Sequence, residues 1–120
     1  MINTSLVQKF ENELAGAKAQ VALGAALTKL LENKEFKKVI IDEFSTKEAA
    51  RYAAEAGNPA LTDRERADAL ALSQAPGHLK RWIVIQLMQA ETCGAQLEEL
   101  REGLEEARLA EANTETDEAE

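Results

Sequence analysis

An all-α fold, built as a helical hairpin or small bundle with a long C-terminal helix, follows from three features of this 120-residue chain. Ala, Leu, Glu, Lys and Arg dominate and aromatic residues make up only 4%, a composition that favours long helices and coiled coils. Apolar residues recur at alternating steps of three and four over two long stretches, which is the period of one helix face. The two prolines stand in Gly57-Asn58-Pro59 and Pro76-Gly77, where helices are expected to stop, kink or begin.

The first helix is expected from about Thr4 to Glu32. Val7, Phe10, Leu14, Ala17, Val21, Gly24, Thr28 and Leu31 form one face at near-heptad spacing, widened by Leu6, Leu27 and Leu30. Ser5 or Thr4 can cap it. Asn33 interrupts the pattern. A short helix over Glu35 to Phe44 then places Phe36, Val39, Ile40 and Phe44 on one face and Lys34, Lys37, Lys38, Asp42 and Glu43 in water. Ser45-Thr46-Lys47-Glu48 matches a capping box, so a third helix is expected from about Thr46 to Ala56, stopped by Gly57-Asn58-Pro59.

Thr62-Asp63-Arg64-Glu65 is a second capping box and opens a helix with Ala67, Leu70, Ala71 and Gln74. Pro76 cannot supply the amide a helix interior needs, so the chain either kinks there or starts again. From about His78 to Ala110, Leu79, Ile83, Gln86, Ala90, Cys93, Leu97, Leu100, Leu104 and Ala107 step by four and three, with Trp82 and Leu87 flanking. Trp82 is expected to pack rather than to serve as a stacking platform. About 33 residues at 1.5 Å rise give a rod of about 50 Å. Its coiled-coil-like seam predicts an oligomer interface of Ile83, Gln86, Ala90, Cys93, Leu97, Leu100, Leu104 and Ala107. Gln86 breaks that seam with a polar group, a device that can set register. From Asn113 the apolar period is lost. The expected organisation is one helical domain, 1–112, and a disordered acidic tail, 113–120.

Charge divides the same way. Glu98 to Glu120 holds ten acids and two bases, while the preceding 97 residues hold twelve of each, so the net charge of −8 belongs to the far end. Glu98, Glu99, Glu102, Glu105 and Glu106 form a candidate acidic partner-binding end. Alanine-rich faces bury little area each, and a lean core at about 25 cal/mol per Å² gains from pairing between chains.

Motifs for chemistry are not found. His78 is the single histidine and no neighbouring carboxylate in sequence would orient it. Cys93 is the single cysteine, so no intrachain disulfide can form, and it reads as a small apolar residue. No glycine stands in a phosphate loop, and Asp63, Glu65 and Asp68 lack the fixed positions of a calcium loop. Of two basic clusters, Lys34, Lys37 and Lys38 are diluted by Glu35, Asp42 and Glu43, and neither these nor Lys80 and Arg81 come with an RRM, zinc-finger or helix-turn-helix signature, which disfavours nucleic acid as a partner. Met1 to Glu13 does not resemble a signal peptide, and no apolar run reaches the ~18 residues of a membrane span. No cofactor, metal, membrane or enzymatic activity is expected.

The run Leu30-Leu31-Glu32-Asn33-Lys34-Glu35-Phe36-Lys37-Lys38-Val39-Ile40-Ile41-Asp42, followed by Glu48-Ala49-Ala50-Arg51, resembles a segment of small uncharacterised tailed-bacteriophage proteins. These carry an L-x-x-N-K-(D/E)-F-K-K-V-I block, a later E-A-x-R and a long helix near the C-terminus. The resemblance covers residues 30–52 best. It implies a phage origin and a place among virion or assembly proteins, in the host cytoplasm or on the virion, and it assigns no residue a role. Two functions are expected to compete. One is a helical homo-oligomer acting as a structural, scaffolding or chaperone protein, with a further phage or host partner. The other is an acidic regulatory module that inhibits a host protein or imitates nucleic-acid charge.

Overall fold

The computed structural model describes residues 5–119, with side chains through Thr114. Four α-helices, α1 (Leu6–Glu32), α2 (Lys34–Phe36), α3 (Ala49–Ala56) and α4 (Asp63–Ala119), account for nearly all of them, and a π-helical segment, Lys37–Glu48, joins α2 to α3. The described residues contain no strand, as the helix-forming composition requires. They group into two compact units, Met1–Ala25 with Met88–Glu120 (unit 1) and Ala26–Leu87 (unit 2).

Side-chain caps explain where α1, α2 and α4 begin. Ser5 Oγ accepts from the Gln8 amide at 3.1 Å and Asn33 Oδ1 from the Phe36 amide at 2.8 Å. At Thr62 the full capping box forms: Thr62 Oγ1 accepts from the Glu65 amide at 3.1 Å, and the Thr62 amide donates to Glu65 Oε1 at 3.4 Å. Two otherwise orphaned amides at the start of α4 are thereby satisfied. Gly57 ends α3, and Asn58 Oδ1 takes the Ala60 amide at 3.0 Å to turn the chain toward α4.

The capping box expected at Ser45 does not form. The chain runs on as helix from Lys34 to Ala56, and Ser45 and Thr46 turn their hydroxyls back on the helix, donating to the Ile40 carbonyl (2.7 Å) and the Ile41 carbonyl (3.0 Å) five residues earlier. Apolar spacing gives the reason. In an α-helix the face carrying Phe36, Val39 and Ile40 continues to Glu43, seven residues after Phe36. Lys47 follows on that face. A π-helix closes its hydrogen bonds five residues apart, and the half-buried positions Phe36, Ile40, Ser45 and Ala49 step by four, five and four, with Glu48 beside the last. Glu43 and Lys47 swing into solvent and pair with each other at 2.7 Å. Val39 and Phe44, expected on the inner face, become 56% and 39% exposed as a result.

Pro76 also falls within a single helix. It lies buried inside α4, which continues on both sides of it. Of the two outcomes expected at Pro76, a kink within one helix or a fresh start, the fresh start does not occur, and the two stretches are one element. Asn113 and Thr114, where the sequence predicts a disordered tail, still belong to it, and Thr114 Oγ1 donates to the Ala110 carbonyl at 2.9 Å. The side chains of 115–120 lie outside the described residues.

Candidate interaction surfaces

Unit 1 is an antiparallel pairing of α1 with the distal part of α4. The pairing shows at three places: Phe10 against Gly103, Val21 against Gly94 and Gly24 against Ala90. A Cβ at Gly24 would overlap the Ala90 Cβ, and one at Gly94 would lie 3.9 Å from Val21 Cγ2. The crossing at Gly24 has no room for a side chain, whereas a methyl at Gly94 would make an ordinary contact. Leu14, Ala17, Leu104 and Ala107 are buried here, and Arg108 Nη2 reaches Glu11 Oε1 at 3.3 Å.

The seam expected to meet a second chain is therefore met, along unit 1, by α1 of the same chain. Leu104 and Ala107 are buried, while Ala90, Cys93, Leu97 and Leu100 are half-buried. Ile83 and Gln86 belong to unit 2, the first buried and the second half-buried. Cys93 carries a free thiol.

The candidate acidic end is on the outside. Glu98, Glu99, Glu102, Glu105 and Glu106 are all exposed. Arg101 stands 3.8 Å from Glu98, the one ion pair these five acids make among the described residues. Leu109, one turn further along α4, is 60% exposed among the same acids. Unit 1 as a whole carries thirteen acids and four bases, against nine acids and ten bases in unit 2.

Unit 2 holds a groove of about 500 Å³ walled by Leu31, Ile41, Leu79, Ile83, Val84 and Leu87. Ser45, Thr46 and Lys80 add its polar groups, and Lys80 is its only charge. The π segment creates one wall: closing hydrogen bonds five residues apart turns Ser45 inward beside Ile41. Pro76 and Gly77 line the other side, where the small glycine leaves room. Ile41 and Val84 remain 37% and 47% exposed at this groove. Sequence reasoning did not find it, because an α-period reading places Ser45 at a helix start rather than on an inner face.

Trp82 also departs from expectation. It is 47% exposed on unit 2 and is not packed in the core. It lies one position before buried Ile83, about 100° round an α-helix, which turns it off the inner face. His78, Lys80 and Arg81 beside it are exposed as well. On α3, Arg51 bridges Glu48 (2.7 Å) and Glu55 (2.9 Å) and lies 4.4 Å from the centre of the Tyr52 ring. The hydrogen bond and charge of Glu48 push the Arg51 pKa up from an already high value.

Among the described residues, no three His, Cys, Asp or Glu side chains gather into a metal-sized group, and no helix is long and apolar enough to cross a membrane. No protein family, curated protein or solved structure matches the chain.

Proposed function

We propose that this chain is a non-enzymatic helical assembly protein that oligomerises and presents its acidic end to a further partner. One observation carries the reading. Seven apolar residues are buried among the described residues, three of them alanines, whereas eleven larger apolar side chains are exposed. Eight of those eleven (Leu30, Val39, Ile41, Phe44, Leu70, Leu72, Trp82 and Val84) lie in unit 2. Scattered surface leucines are ordinary, but two of the eight, Ile41 and Val84, line an apolar groove, and exposed apolar groups at such a groove favour a protein interface. The resemblance read from the motif in residues 30–52 turns this proposal toward a structural, scaffolding or chaperone role in virion assembly.

A second reading is favoured by the exposed glutamates of α4. An acidic regulatory module would hold a basic host protein through Glu98, Glu99, Glu102, Glu105 and Glu106, with affinity falling steeply as salt rises. Sedimentation equilibrium over a wide concentration range tests the first reading. The expected result is a mass that rises with concentration and is insensitive to replacing Glu98, Glu99 and Glu102 by glutamine. A monomer at every concentration removes it.

A further inference from the structure

We infer that the groove of unit 2 receives the Leu109 face of α4 from a second copy, so that copies join head to tail. The inference rests on the oligomeric reading above and names its two surfaces.

The two surfaces are complementary in shape class and in charge. One is concave and apolar, with the Lys80 ammonium in its lining, Arg81 beside it, and Ile41 and Val84 open to solvent. Neither Lys80 nor Arg81 has a carboxylate within ion-pair distance among the described residues. The other surface is convex. Leu109 projects from α4 at 60% exposure, with Glu105 and Glu106 one turn before it on the same face. Neither glutamate forms an ion pair among the described residues. An apolar knob flanked by two unpaired acids matches an apolar groove with an unpaired lysine in its lining, and none of these charges is answered within its own unit.

Charge also argues against the symmetric alternative. Placing two Leu109 faces together would set Glu105 and Glu106 of both copies against each other, and like charges in contact oppose association. Placing two grooves together would leave both Lys80 groups without a counter-charge. Knob into groove is the pairing that satisfies both. The two patches differ, so each contact joins one knob to one groove.

Two variants separate the possibilities, Val84→Glu at the groove and Leu109→Lys at the knob. Both positions are solvent-exposed, and circular dichroism checks that both variants keep their helix content. Each variant alone is expected to be monomeric at concentrations where the native chain associates. An equimolar mixture is expected to form a 1:1 dimer and stop at about twice the monomer mass, since one intact knob and one intact groove remain. If either variant alone associates like the native chain, the groove and knob are not the interface, although oligomerisation itself stands. If both are monomeric and the mixture stays monomeric, the head-to-tail pairing is wrong. If the native chain is itself monomeric throughout, this inference and the oligomeric reading fall together.

Discussion

Gly103 of α4 lies against the ring of Phe10 in α1: a Cβ there would stand 2.5 Å from Phe10 Cε1 and 2.7 Å from Cζ. The aromatic ring takes the space that any larger residue at 103 would need.

Gly103→Ala therefore sets two effects against each other. Alanine gains about 0.5–1 kcal/mol of helix propensity over glycine, while forcing a methyl into a filled contact costs about 1–3 kcal/mol. The expected result in denaturant unfolding is a net loss of about 1 kcal/mol. In a Phe10→Ala background the same substitution should stabilise, and a sign that does not reverse would remove Phe10 as the cause.

The other glycines sort by the same geometry. Gly24→Ala would place its methyl onto Ala90 Cβ, a short side chain with its own backbone 3.8 Å from the new atom. It cannot swing aside as a ring can, so the loss should exceed that at Gly103. At Gly16 an added methyl would have nothing within 4 Å of it, and Gly16→Ala should raise stability by about 0.5–1 kcal/mol.

Caps give a third comparison. Asn33→Ala and Thr62→Ala each remove a side-chain oxygen that accepts an amide at a helix start, and each should cost about 1 kcal/mol. Ser45→Ala removes no cap, because Ser45 Oγ donates to the Ile40 carbonyl inside a continuous helix. An equal loss at all three positions would argue that α3 does begin at Ser45.

The π segment should depend on where charge is allowed to lie. Replacing both Glu43 and Lys47 by leucine makes the α-helical face apolar throughout, and the segment is expected to revert to α-helix. Scalar couplings across hydrogen bonds would report it, each amide pairing with the carbonyl four residues before it in place of five. Retention of the longer spacing would show that charge placement is not the cause.

The Glu43–Lys47 pair also has a defined pH window. Glu43 holds the Lys47 ammonium first by a hydrogen bond and then by its charge, raising the Lys47 pKa above the ordinary lysine value. A raised basic pKa means the pair's contribution is complete below the ordinary lysine range and is lost as pH rises through the raised value. The difference in melting temperature between the native chain and Lys47→Met should be flat from neutral pH upward until it shrinks in strong alkali.

Much of this fold is legible from residue spacing. Val7, Phe10, Leu14, Ala17, Val21 and Gly24 do form the inner face of α1, and only Thr28 of that series is exposed. Thr62 and Glu65 form the box their spacing announces. Elsewhere a local rule meets a stronger one. Ser45-Thr46-Lys47-Glu48 has the letters of a helix start, but the need to keep Glu43 and Lys47 in water favours a π-helix that runs through it. Pro76 has the letters of a break, yet helix on both sides holds it within α4. The seam from Ala90 to Ala107 is readable as a helix-pairing face. Which helix it pairs with is a tertiary fact, and α1 supplies it. The groove of unit 2 has no signature of its own, since its wall depends on the π register.

Among the described residues alanine supplies three of seven buried apolar positions, and so lean a core also shapes the response to temperature. Unfolding such a chain wets little new hydrocarbon, and the heat-capacity increment tracks that area. Calorimetry should find an increment below the ordinary ~12–15 cal/mol/K per residue, hence a shallow stability curve. The chain would then tolerate chilling well and melt over a broad range rather than sharply.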